Sequence, residues 1–181
     1  RRACAAAPDH LGLHAALAYA LAGSGALEEA VEAYRKLLAL DPGSAPLRTN
    51  LAVLLLRTGA VEDARALLLE AAELAPDHAN TASALGDLFA RLRDREQAFG
   101  HYRRAIDLYR RQIGPRPTAA HCNDLVKLAT AQMWTGDTGA ALANFDRAVA
   151  LRPDHALALA RRGLLLARLR RFPEAVASLR R

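Results

Sequence analysis

The sequence predicts an all-α fold made of repeated pairs of antiparallel helices, and three observations support this prediction. The first is composition, because alanine, leucine, arginine and glutamate dominate while aromatic residues make up only 5% of the chain. These straight-chain and small side chains lose little conformational entropy in a helix. The second is a period of about 34 residues, and the third is the match of residue types between successive periods. With 52% hydrophobic residues, the 181-residue chain can also bury a continuous core.

Four short proline-containing segments mark the period. Pro8, Pro42 and Pro76 are equally spaced by one period each, and Pro153 follows Pro76 after somewhat more than two periods. One further repeat without its proline, together with a nine-residue insertion, accounts for the longer gap. Periods of this length are typical of stacked helical hairpins, in which each unit buries its apolar face on its neighbour.

Residues at equivalent positions of the repeats agree in size and character. A glycine between the two helices of a repeat provides a turn, a small residue allows close helix packing, and a large apolar residue fills the space between hairpins. The turn glycines are Gly25, Gly59 and Gly136; the small residues are Ala30, Ala64, Ala98, Ala141 and Ala175; the large residues are Tyr34, Leu68, Tyr102, Phe145 and Leu179; and a leucine precedes a small residue at Leu17, Leu51, Leu85 and Leu128.

This pattern resembles that of the tetratricopeptide repeat (TPR) family over essentially the whole chain. The resemblance implies an all-α, right-handed solenoid of helical hairpins, with the first helix of each hairpin lining a concave groove. We therefore expect a single array, in which residues 1–10 are the tail of a preceding repeat and residues 156–181 are a truncated repeat. The full repeats are expected at 11–44, 45–78, 79–112 and 122–155, with an insertion at 113–121.

The insertion contains Gly114, Pro115 and Pro117, and a proline cannot continue a helix in the ordinary way. We expect the helices on both sides of it to be longer by about a turn. The alternative is that the loop projects and either adds a binding edge or changes the superhelical pitch. Because the array is expected to begin and end inside a repeat, we also expect the sequence to be part of a longer protein.

Neither a membrane span nor a redox site is expected. Every run of about eighteen residues contains a charge or a turn signal, and the first residues lack the apolar stretch of a secretory signal. A cytoplasmic location is therefore favoured, although a leader could precede Arg1. Cys4 and Cys122 lie far apart and without a CxxC partner, so they are expected to be free thiols.

The charge pattern bears on nucleic-acid binding. The net charge of +6 lies entirely in residues 161–181, which contain seven arginines and one acidic residue, Glu174. This cluster leaves nucleic-acid binding as a less favoured alternative, because Phe172 is the only aromatic residue among these arginines.

No residues form a recognisable catalytic or metal-binding pattern. His10, His78 and His155 recur in the same turn of different repeats, and the other histidines lack ligand spacing such as HExxH. Gly23-Ser24-Gly25 lacks the lysine of a phosphate loop. We therefore expect no enzymatic activity, no cofactor, no metal and no small-molecule substrate for this segment.

The resemblance implies which residues face the groove. They combine amides, hydroxyls and cations with two aromatic residues, and this mixture is suited to holding a protein or peptide segment of acidic character. The candidate binding residues are Tyr19, Thr49, Asn50, Arg57, Asn80, Ser83, Asp87, Arg91, Asn123, Lys127, Thr130, Trp134, Arg161 and Arg168.

One subset of the family grips a C-terminal carboxylate with two lysines, an arginine and two asparagines. The equivalent places in the first three hairpins hold Ala15, Tyr19, Asn50, Asn80 and Ala84, so that only Asn50 matches. The resemblance therefore does not imply a carboxylate clamp here.

The predicted function is a protein–protein interaction scaffold. One alternative is the recognition or regulatory arm of a larger enzyme, such as a glycosyl- or sulfo-transferase. Homo-oligomerisation is a further alternative, because leucines of the truncated last repeat would lack their next neighbour.

Overall fold

The computed structural model describes residues 11–180, and these residues form ten α-helices, one 3₁₀ turn and no β-strand. The first helix of each predicted repeat is called an A helix below, and the second a B helix. The A helices are α1 (Leu11–Ser24), α3 (Ala45–Thr58), α5 (Ala79–Arg91), α7 (Cys122–Trp134) and α9 (Ala156–Arg168). The B helices are α2 (Leu27–Leu40), α4 (Val61–Leu74), α6 (Arg95–Ile113), α8 (Thr138–Leu151) and α10 (Phe172–Leu179). This arrangement confirms the predicted all-α class.

The chain divides into two compact units, Arg1–Ala98 and Phe99–Arg181, with the boundary inside α6. In unit 1, α1 contacts α2, α2 contacts α3, and α3 contacts both α4 and α5. In unit 2, α7 contacts α8, and α9 contacts α7, α8 and α10. Helices that are consecutive in sequence are therefore neighbours in space within each unit, as in stacked hairpins.

Small side chains lie where the helices of a hairpin meet. Ala30 and Ala64 in unit 1, and Ala141 in unit 2, have no exposed surface. Large side chains fill the remaining volume, and Leu68 and Phe145 are also completely buried. Burial of a side chain of this size stabilises the fold by roughly 1.5–3 kcal/mol relative to exposure.

The turns between A and B helices depend on a left-handed backbone position. Gly25, Gly59 and Gly136 have φ values of 84°, 92° and 84°. Arg93 and Arg170 occupy the equivalent position in the two hairpins without this glycine, with φ values of 63° and 59°. An L-residue in this region is strained by about 1–2 kcal/mol relative to its usual conformation.

The insertion lengthens one helix. The B helix α6 has 19 residues, whereas α2, α4 and α8 have 14 each. Gly114 follows it with a φ of 65°, and a short 3₁₀ turn at Ala119–His121 leads into α7. The A helix α7 has 13 residues, the same as α5 and α9, so the expected extension of the helix after the insertion is wrong. The two prolines and the 3₁₀ turn take up those residues instead.

No helix within residues 11–180 is long and apolar enough to cross a membrane.

We expect Arg93→Gly to raise the free energy of unfolding by about 0.5–1 kcal/mol, since relief of the strained φ exceeds the added entropy of the unfolded chain. Urea unfolding followed by circular dichroism measures this change. The opposite substitution, Gly59→Ala, serves as a control and should destabilise the protein by about 1 kcal/mol or more. Equal stability of Arg93→Gly and wild type would contradict the strain.

The pH dependence of stability should contain a contribution from His101 on α6. Burial lowers the pKa of His101, and the positive charge of Arg104 acts in the same direction. The unfolded chain therefore binds this proton more tightly, so acidification through about pH 6.5 favours unfolding. His101→Gln should lose less stability than wild type between about pH 7.5 and about pH 5, as measured by urea midpoints. Parallel losses in the two proteins would exclude this contribution.

Candidate functional site

Exposed residues recur on one face of each A helix. Residues at positions i, i+4, i+7 and i+11 of a helix lie on one side of it. We call the exposed residues at these positions the A-face of each unit. Apart from glycine, alanine and proline, the A-face of unit 1 comprises Tyr19, Asn50, Val53, Arg57, Asp87 and Arg91, and that of unit 2 comprises Asn123, Lys127, Trp134, Leu157, Arg161, Leu164 and Arg168. Most of the predicted binding residues therefore lie on this face.

Three of the predicted residues are half-buried and one is buried. Asn80, Ser83 and Thr130 are partly covered, and the Thr130 hydroxyl donates to the Val126 carbonyl of its own helix at 2.8 Å. Thr49 has only 2% of its surface exposed. The prediction that Thr49 lines the groove is therefore corrected, because a ligand cannot reach this side chain.

The Thr49 hydroxyl belongs to a polar contact between α3 and α5. It donates to the Ala45 carbonyl at 2.9 Å and lies 2.7 Å from the Thr81 hydroxyl, which in turn lies 2.7 Å from Nδ1 of His78. Both threonines are buried, so each hydroxyl needs a partner inside the protein. Thr49 therefore holds two neighbouring A helices together.

Tyr19 and Asn50 of the unit 1 A-face lie near Tyr34, a buried residue of α2. Tyr19 is 73% exposed on α1, whereas Tyr34 below it on α2 is 5% exposed. Burial raises the pKa of Tyr34, the nearby Tyr19 raises it further, and a side-chain hydrogen bond with Asn50 acts in the opposite direction. Asn50 therefore interacts with the buried Tyr34 while the residue itself remains exposed.

The arginines of unit 1 bind the preceding A helix. Arg57 donates to the Ala22 carbonyl at 3.3 Å, and Arg91 donates to the Leu56 carbonyl. Both carbonyls lie in the last turn of an A helix, where orphan carbonyls attract cations. The two donors are one repeat apart, and so are the two acceptors, which means that the repeat reproduces the contact.

The unit 2 A-face contains a fixed aromatic surface. Trp134 stacks on Tyr102 with ring centroids 5.6 Å apart and an angle of 7° between the planes. Tyr102 is 1% exposed and immobilised in the core, whereas Trp134 is 57% exposed. One face of the indole is thus held in place while the rest of it is available to a ligand. The sequence predicted Tyr102 as a large residue between hairpins, but it did not indicate this stack.

Asn123 and Lys127 on α7 each interact with another side chain of unit 2. Nδ1 of His155 accepts the Ala158 N–H at 3.1 Å, which caps α9. Nε2 of the same ring therefore donates to Oδ1 of Asn123 at 2.8 Å. Lys127 is exposed as a residue, yet desolvation lowers the pKa of its amine while Asp124 opposes this shift.

The arginines of α9 differ in their contacts. Arg162 pairs with Asp146 at 2.6 Å and also donates to the Ser178 hydroxyl. Arg161 and Arg168 are exposed on the A-face and have no ion pair or hydrogen bond within residues 11–180. These two guanidinium groups are the part of the predicted cationic surface that remains open to a ligand.

The described part of the chain contains no cluster of three His, Cys, Asp or Glu side chains that could hold a metal. Cys122 is buried with its Sγ 3.5 Å from the Ala148 carbonyl, and desolvation raises the pKa of its thiol. A raised thiol pKa reduces the thiolate fraction and hence nucleophilicity. Cys4 and His10 lie outside the described residues.

Thr49→Val should lower the free energy of unfolding by about 1 kcal/mol, because the buried Thr81 hydroxyl loses one partner while side-chain volume is retained. Chemical denaturation measures the effect. Thr58→Val is the matched control on the same helix, since Thr58 is exposed, and should change stability by less than about 0.5 kcal/mol. An equally small effect of both substitutions would argue against a structural role for Thr49.

Three family models described as tetratricopeptide repeat match the sequence, at residues 21–88, 78–117 and 126–181. No curated protein matches it significantly.

Several solved structures share the fold at low sequence identity. A chain of the APC/C hetero-tetramer Cut9-Hcn1 superimposes with a TM-score of 0.70 and 17% identity, covering 99% of this chain and 34% of that one. The pilF protein of Pseudomonas aeruginosa gives a TM-score of 0.58 and 17% identity, covering 93% of this chain and 72% of that one. YrrB, described as a TPR protein with an unusual peptide-binding site, gives a TM-score of 0.51 and 18% identity, covering 98% of this chain and 87% of that one.

These likenesses agree with the helical hairpins, the recurring small residues and the left-handed turns described above. The repeat models leave only residues 1–20 and 118–125 unmatched, and the second of these gaps lies in and beside the insertion. The chain belongs to the tetratricopeptide repeat family.

Proposed function

We propose that this chain is a protein-interaction scaffold that binds a segment of a partner protein on the A-faces of its two units. The observation that carries the proposal is the Trp134 side chain, which is 57% exposed although its ring is stacked on Tyr102. Aromatic residues held rigidly at the surface are typical anchors of protein interfaces, because they bury a large area at low entropic cost.

Other A-face residues provide the remaining parts of a binding surface. Tyr19, Val53, Leu157 and Leu164 are exposed apolar or aromatic side chains, with exposures from 39% to 73%. Amides and guanidinium groups lie between them, so that a partner's backbone and acidic side chains would find donors. Apolar residues grouped in this way mark interaction sites more often than single ones do.

Leu69 and Phe99, two exposed apolar residues of B helices, are less suited to this role. Leu69 is exposed alone in the middle of α4, and the Phe99 ring on α6 is covered by Arg103, whose guanidinium carbon lies 5.9 Å from the ring centroid. A solitary exposed residue needs no functional explanation. The fold likeness to YrrB, which is described as having a peptide-binding site, is also compatible with the proposal.

Site-specific photocrosslinking tests the proposal. A photoreactive phenylalanine analogue placed at Val53 or Leu157, both exposed on A helices, should form covalent adducts with proteins in a lysate of the source organism. The same analogue at Leu69 or Ala143, which are exposed on the B helices α4 and α8, should form few adducts. Mass spectrometry of the adducts identifies the partner.

Adducts confined to Leu69 and Ala143 would contradict the proposal, because they would place the partner on the B helices. The single tryptophan provides a second measurement on the identified partner. Binding to the unit 2 A-face should change the emission of Trp134, whereas Trp134→Ala should weaken binding by about 1–3 kcal/mol.

A further inference from the structure

The A helix α9 presents an alternating apolar and cationic stripe. Leu157, Arg161, Leu164 and Arg168 are all exposed, and both leucines have more than half of their surface accessible. Their spacing of four, three and four residues keeps them on one side of the helix over about 16 Å. We call these four residues the α9 stripe. The equivalent positions of α3 and α7 do not alternate in this way; they hold Pro46, Asn50, Val53 and Arg57, and Asn123, Lys127, Thr130 and Trp134.

The cations of the α9 stripe are available, unlike the two other A-face arginines. Arg57 and Arg91 each donate to a backbone carbonyl of the preceding A helix. Arg161 and Arg168 have no such contact within residues 11–180. Other arginines of the same helical hairpin do have acidic partners, since Arg162 pairs with Asp146 and Arg171 pairs with Glu174. A bound carboxylate would therefore not have to displace an existing partner.

The neighbouring A helix extends this surface with residues of the same character. Helix α9 contacts α7. Lys127 lies one repeat before Arg161, and Trp134 lies one repeat before Arg168. The stripe is thus bordered by one more cation and by the fixed indole ring, both of which favour an acidic partner with apolar anchors.

We propose that the α9 stripe binds an amphipathic helix of a partner protein whose contact face alternates acidic and apolar residues at the same spacing. This inference rests on the proposed function and specifies the partner for unit 2. Two features of the stripe support it. Its guanidinium groups have no hydrogen bond or ion pair within residues 11–180, and its two leucines are seven residues apart, which is the repeat of a helix-packing seam.

The spacing favours a helix over an extended peptide. The stripe rises by about 6, 4.5 and 6 Å between successive residues, as a helical partner would. Side chains on one face of an extended strand repeat every 6.6–6.8 Å, approximately. Over three steps an extended peptide would depart from the stripe by about 4 Å, so its side chains could not match all four residues.

The stripe fits a nucleic acid less well. Half of its residues are leucines, which neither pair with phosphate nor stack with bases. A single-stranded oligonucleotide therefore serves as the competing probe in the experiment.

The test uses synthetic peptides of about 18 residues in a helix-favouring sequence of alanine, glutamine and lysine. The first peptide has Leu and Glu alternating at positions i, i+4, i+7 and i+11, and the second has Gln in place of each Glu. Fluorescence anisotropy measures both against the whole 181-residue chain, the double variant Arg161→Gln/Arg168→Gln and a charge-matched control, Arg35→Gln/Arg180→Gln. The residues changed in the control are also exposed.

We expect the wild type and the control to bind the Glu peptide about three- to tenfold more tightly than the Gln peptide. The Arg161→Gln/Arg168→Gln protein should bind both peptides with equal affinity. This result would identify the two arginines as the groups that interact with the glutamates of the peptide. Circular dichroism confirms that the variant is folded, and glutamine is a good helix former at exposed positions.

Equal affinity of the wild type for the two peptides, or no binding of either, would overturn the inference. So would tighter binding of a dodecameric oligothymidylate than of the Glu peptide, lost in the double variant, because it would assign the arginines to nucleic acid. Photocrosslinks from Val53 and Leu157 that persist in such a case would leave the proposed function intact. The absence of these crosslinks, with adducts on the B helices instead, would contradict both the proposed function and this inference.

Discussion

Close contact between the two helices of each hairpin is the interaction on which the rest of this structure depends. It requires a side chain no larger than a methyl group, and Ala30, Ala64 and Ala141 provide it with no exposed surface at all. Within each unit, where one side of an A helix packs on its B helix and another on a neighbouring A helix, the remaining side is left in solvent. The exposed A-face is thus a geometric consequence of the hairpin packing, and the residues on it are released from any role in the core.

Release from the core allows equivalent positions to take different roles. Arg57 and Arg91 bind the end of the preceding A helix, and Trp134 stacks on a buried tyrosine. Arg168 is exposed and has no partner in the described part of the chain. These four residues occupy the same place in their repeats. In unit 1 the residue at this position therefore stabilises the packing of two A helices, whereas in unit 2 it lies on the surface that we propose binds a partner.

The repeat architecture could be predicted because its signals are local and periodic. Helix-favouring composition, the recurring glycine and proline, and the small and large residues one period apart each act over short stretches of chain, and all of them indicate the same fold. The site was predicted less completely. The period places a residue on one side of its helix, but it does not say how deeply a neighbouring helix covers it, as the burial of Thr49 shows.

The amino-acid sequence was sufficient for the helical hairpins, the left-handed turns at Gly25 and Gly59, and the long helix before the insertion, because backbone propensity and apolar periodicity specify them. The structure was needed for the contacts of the polar side chains. Whether an arginine caps a helix or remains free, and whether Trp134 finds an aromatic partner, depends on residues roughly one repeat away that come within reach only after the hairpins pack. Such contacts leave no period in the sequence, and they determine which part of the A-face is open to a partner.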